Sequence, residues 1–112
     1  MLNTKTVENV ETSKSSDKIN RLFLSWNCPN CIPIKDLLIS NNIICNDNIN
    51  AKDGQSLSVF YTFNNISTRD LLDCFGLKDQ FTPVLLTSNK KVLNDKKEII
   101  KYLYDLGIIS NI

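Results

Sequence analysis

The run Arg21-Leu22-Phe23-Leu24-Ser25-Trp26-Asn27-Cys28-Pro29-Asn30-Cys31 decides how this chain is read. Residues 21–26 form a short apolar run, which predicts a buried central strand. Two cysteines follow at once, spaced Cys-x-x-Cys. Beyond them Ile34, Leu37 and Leu38 recur at helical spacing, with Lys35 and Asp36 on the other side. A helix is therefore predicted from Pro29 to Asn41. Pro29 suits the first helical position, where its missing N–H costs nothing. Pro33 suits the helix less well. With Cys28 as N-cap it would forfeit one helix bond and leave the first turn irregular.

A strand-to-helix junction is a place where a cysteine becomes reactive. The helix N-terminus offers unpaired backbone N–H groups and about half a positive charge. A thiolate placed there is stabilised and ionises more readily than a free thiol. Cys28 is thus expected to be the exposed nucleophile. Cys31, one turn later, is expected to attack the resulting mixed disulfide and release the product. The spacing alone is weak evidence, since four cysteines in a chain of this length give some pair three apart by chance in about one sequence in ten; the junction is what gives it weight.

Working outward, Asn42 is read as closing the helix and residues 43–49 as a second strand. Asp53-Gly54 is a turn signal. Leu57, Val59, Tyr61 and Phe63 alternate with Ser58, Phe60 and Thr62, which is strand periodicity. The two strands are expected to form a hairpin over a loop from Asn50 to Gln55. Ser67 to Asp70 has a capping-box pattern, and Leu71, Leu72 and Phe75 continue a short helix to Gly76. Phe81-Thr82-Pro83 leads into a buried strand, Val84-Leu85-Leu86. Ser88 to Lys91 turns the chain into Val92-Leu93. Ile99, Ile100, Leu103, Tyr104 and Leu106 line one side of a last helix, from Asn94 to Leu106, which Gly107 ends. Strands and helices alternate first and a hairpin with a helix follows, so the expected class is α/β.

The chain has 112 residues, enough for one domain with a real core. The net charge of +1 argues against nucleic acid or an anionic membrane as partner. No apolar run reaches the 18 residues or so of a membrane span. Met1 to Lys18 is polar, without the apolar core of a signal peptide, and reads either as a mobile tail or as an arm that a protein partner would order. A cytoplasmic location is expected. In that setting four cysteines point to redox chemistry, metal binding or simple burial rather than a disulfide framework. The chain contains no histidine, so a Cys-His or Ser-His pair is excluded.

Over roughly residues 20–107 the chain resembles the glutaredoxins of the thioredoxin superfamily. Cys28-Pro29-Asn30-Cys31 is similar to their Cys-Pro-x-Cys site. Thr82-Pro83 is similar to their Thr-Val-Pro segment, whose proline is cis. The resemblance implies a central four-stranded mixed sheet flanked by three helices; the strand read at 57–63 has no place in a minimal glutaredoxin and is taken as an added hairpin strand. It implies that Thr82 presents its backbone, before a cis Pro83, to an incoming extended chain or glutathione. Trp26 is placed beside this substrate site. The chain departs from the family at several positions. Leu93-Asn94-Asp95 stands where glutaredoxins carry a Gly-Gly pair that receives glutathione. Ser25 replaces a frequent lysine and Asn30 a frequent tyrosine. Asn27 separates Trp26 from the first cysteine, and Leu22 stands where thioredoxins bury an acid. The expected activity is reduction of protein or small-molecule disulfides with no bound cofactor, and glutathione as co-substrate stays open. Two alternatives also remain. One is a redox-inactive interaction protein built on the same fold. The other is a zinc knuckle, for which Cys45 and Cys74 would have to join Cys28 and Cys31; otherwise these two are read as small buried hydrophobes.

Overall fold

The structure, a computed structural model, describes residues 18–43 and 48–110. The expected tail, apart from Lys18, and Cys45 lie outside the described residues. Strand β1 (Ile19–Ser25) runs into helix α1 (Cys31–Ser40). A short strand β2 (Asn48–Asn50), a 3-10 turn (Lys52–Gly54) and strand β3 (Ser56–Thr62) form a hairpin; of the strand expected at 43–49, residues 44–47 lie outside the described residues, and β2 extends to Asn50, expected in the loop. Helix α2 (Asn65–Cys74), strands β4 (Val84–Leu86) and β5 (Val92–Leu93), and helix α3 (Lys96–Asp105) complete the order.

The five strands make one mixed sheet in the order β2-β3-β1-β4-β5. β1 pairs in parallel with β3, from Ile19 opposite Ser56 to Ser25 opposite Thr62. It pairs antiparallel with β4, Phe23 facing Val84. This corrects the placing of 57–63 as an added strand. β3 is the parallel neighbour of β1, and the added strand is the short β2 at the edge. The reason lies in the side chains. Leu57 and Val59 are buried on one face of β3, while Phe60 stacks on Phe23 on the other, with ring centres 5.2 Å apart. Both faces of β3 are covered, as in a central strand. β2 has exposed Asn48 and Asn50 and fits an edge.

Strand alternation divides the core. Leu22, Leu24 and Leu85 join Ile34 and Leu38 of α1 and Ile99 and Leu103 of α3 on one face. Phe23, Val84 and Leu86 join Leu72 of α2 and Leu77 on the other. The result is three layers, with two helices on one side of the sheet and one on the other.

The helix ends follow local chemistry, with two corrections. Asn64, not Ser67, caps α2: its side chain accepts the Ser67 N–H at 2.7 Å. Asp95 caps α3 by accepting the Glu98 N–H at 3.2 Å. Asn42 and Gly76 adopt positive φ (66° and 73°) just past α1 and α2, as a left-handed helix stop requires. Tyr104, expected on the packed side of α3, is exposed, while Ile99 and Leu103 are buried.

At the start of β1 the fully buried Asn20 ties four segments together. Its amide donates to Gln55 Oε1 and to the Ser56 carbonyl, each at 3.0 Å. Its carbonyl oxygen accepts from Ser88 N at 2.8 Å and from the Tyr102 hydroxyl at 2.7 Å. Burial pushes the Tyr102 phenol above its ordinary value, partly offset by a hydrogen bond with Ser88. A raised phenol favours the neutral, folded form. Its contribution is therefore complete below the unfolded phenol range and is lost as pH rises through the folded one. Melting temperature should fall in alkali more steeply for wild type than for Tyr102→Phe. Parallel curves would remove Tyr102 from the alkaline transition.

Candidate active site

β1, the middle strand of the sheet, ends at Ser25, and the chain turns through Trp26 and Asn27 to Cys28. Cys28 and Cys31 stand at disulfide distance, with Cα atoms 5.2 Å apart. Cys31 N donates to Cys28 O at 3.0 Å, and Asn30 is the N-cap of α1. The helix thus begins at Cys31 and not at Pro29, and Pro29 and Asn30 form an exposed turn ahead of it. That shift removes the expected difficulty at Pro33. As the third residue of α1 it lacks an N–H that would have had no partner within the helix in any case.

The two cysteines belong to one apolar cluster but differ in access. Cys31 is 2% exposed and packs in the apolar cluster with Leu22, Leu24, Ile34 and Leu38. Cys28 is only 8% exposed, so it is not the exposed residue expected. It does line a cleft of about 400 Å³, together with Ser25, Asn27, Thr68, Arg69, Phe81 and Thr82, and Cys31 does not. Access to the pair is therefore one-sided, through Cys28.

The Thr82–Pro83 peptide bond is cis. Pro83 is buried, and Thr82 faces the cysteine pair: its carbonyl oxygen lies 3.3 Å from Cys28 Sγ. In the dithiol form the Cys28 thiol can donate to that oxygen; in the disulfide the sulfur carries no proton. The Thr82 hydroxyl is 2.8 Å from that of Ser25, which ties this loop to the end of β1. Trp26 is 56% exposed and stands outside the cleft, while its backbone N–H extends the ladder to Thr62 O at 3.1 Å.

Sequence reasoning missed Ser25, Asn27, Thr68, Arg69 and Phe81 as cleft residues. Arg69, on α2, donates to the carbonyls of Lys78 and Gln80 and lies over the Phe81 ring at 5.2 Å. Nothing near Arg69 in the sequence marks it, since a charged residue on a short helix reads as solvated. Phe81 carried a weak signal, a large aromatic directly before Thr-Pro. Cys74 is exposed, against the expectation of burial. Among the described residues no cluster of Cys, Asp or Glu is arranged to hold a metal ion, and no helix is long and apolar enough to cross a membrane.

Against known proteins, no family model and no curated protein matches the chain.

Proposed function

We propose that this chain is a thiol–disulfide oxidoreductase with a thioredoxin-like fold and a glutaredoxin-like site. One observation carries the reading: a cysteine pair at the start of α1, reachable through Cys28 alone, faces the cis Thr82–Pro83 bond. The start of α1 favours negative charge near Cys28. As a thiolate, Cys28 attacks one sulfur of a substrate disulfide; a bond forms between them and the other substrate sulfur leaves as a thiolate. Cys31, deprotonated, then attacks Cys28 Sγ, forms the Cys28–Cys31 bond and expels the second substrate thiolate. The substrate gains two electrons and two protons, which the pair loses, and an external thiol or dithiol returns them. Thr82 would pair its backbone with the substrate chain beside Cys28.

The partner in this reading is a disulfide-containing protein or a glutathione-type small molecule, and the protein works in the cytoplasm without a bound cofactor. A redox-inactive interaction protein is the second reading. Trp26 and Phe63, exposed just past the paired strand ends Ser25 and Thr62, and Phe81, exposed in the cleft lining, favour it. The test is the pH dependence of iodoacetamide alkylation of the reduced protein, alongside reduction of a protein disulfide. The enzyme reading expects Cys28 to reach half its maximal reactivity below the ordinary thiol range, and measurable turnover. Ordinary thiol behaviour without turnover favours the interaction protein.

A further inference from the structure

Arg69 is the one charged side chain among the residues that line the cleft, and its guanidinium is already engaged. It bonds the carbonyls of Lys78 and Gln80 and covers the Phe81 ring. These three residues form the approach to Thr82, whose carbonyl stands 3.3 Å from Cys28 Sγ. Otherwise the approach is anchored at its start by Leu77, buried just past α2, with Gln80 N bonded back to Leu77 O at 2.9 Å. On the far side it is anchored by the Ser25–Thr82 hydroxyl pair and by buried Pro83. Between those anchors the Arg69 fork links the approach to helix α2.

We propose that Arg69 is a positioning residue for disulfide exchange, holding the Thr82 carbonyl over Cys28 Sγ through the 78–81 approach. This deepens the oxidoreductase reading and rests on it. A carbonyl at that place has two consequences of opposite sign. It accepts from the neutral thiol and repels the thiolate, so it makes Cys28 harder to ionise. It also fixes the backbone against which a substrate disulfide is aligned, so it speeds the exchange step. Releasing the approach should therefore make Cys28 more readily ionised and, at the same time, a poorer catalyst.

Arg69→Met removes the fork and the charge. Arg69→Lys keeps the charge but cannot reproduce the planar two-carbonyl fork. Exchange is measured with an uncharged small disulfide, so attraction of substrate by the guanidinium does not enter. Alkylation of Cys28 is measured on the reduced proteins at mildly acid pH. Both variants are expected to slow exchange by about tenfold or more while alkylation becomes faster. The assignment stands only on that opposed pair of changes in Arg69→Lys, with Arg69→Met agreeing if it folds. Exchange at the wild-type rate in Arg69→Lys, unchanged alkylation, or a fall in both readouts overturns it. If wild type itself catalyses no exchange, the oxidoreductase reading fails, and the alkylation arm alone decides whether Arg69 sets the Thr82 carbonyl.

Discussion

Cys28→Ser should lower disulfide exchange by about a thousandfold or more, because it removes the only sulfur of the pair that the cleft reaches. Cys31→Ser should behave differently. Its Cys28 can still attack a substrate disulfide, but no thiol stands behind it to expel the product. A covalent mixed disulfide should therefore accumulate on Cys31→Ser and be visible by mass spectrometry, while Cys28→Ser should form none. The asymmetry follows from Cys31, which is 2% exposed among Leu22, Leu24, Ile34 and Leu38. Stability is to be compared with reduced wild type, so that loss of the cross-link does not enter the comparison. An adduct on Cys28→Ser, or equal turnover in both variants and wild type, would reverse the assigned roles.

The second large effect concerns stability. Asn20→Leu is expected to cost about 3–5 kcal/mol, because several buried polar groups lose their partners together. Asn20 uses both amide hydrogens and both carbonyl lone pairs, and it is 0% exposed. Leucine of similar size leaves the Ser56 carbonyl, the Ser88 N–H and the Tyr102 hydroxyl short of a bond, while Gln55 Oε1 keeps Ser88 Oγ at 2.9 Å. Against a total stability of about 5–15 kcal/mol, such a loss is a large share. Urea unfolding measures it directly. A loss under about 1 kcal/mol would mean that water or rearranged side chains replace the bonds. Asn20 lies about 17 Å along β1 from Ser25, so the folded fraction should keep its Cys28 reactivity.

Much of the chain was legible locally. The apolar run at 22–24, the spacing of Ile34 and Leu38, and the alternation through 57–62 each report a period, and a period belongs to a single element. Asn42, Gly76 and Gly107 marked helix ends because positive φ is a property of the residue and its immediate neighbours. Thr82-Pro83, downstream of the cysteines, pointed to the loop that meets them. What was misplaced depended on distant residues. Whether 57–63 was an edge or an inner strand turned on Phe23 and Phe75 packing beside Phe60 from other elements. The start of α1 shifted from Pro29 to Cys31 because Pro29 and Asn30 form the turn between the two cysteines.

The sequence by itself determined the α/β class, the elements, and the placing of Cys28 and Cys31 where a strand gives way to a helix. Tertiary structure alone decided how deeply Cys28 is covered, which strand lies beside β1, and that Asn20 and Arg69 hold distant segments together. The physical reason is range. Backbone preference and side-chain period act over a few residues and can be read in order. Burial of Cys28, the bonds of Asn20 and the reach of Arg69 to Lys78 and Gln80 exist only once separate elements have packed.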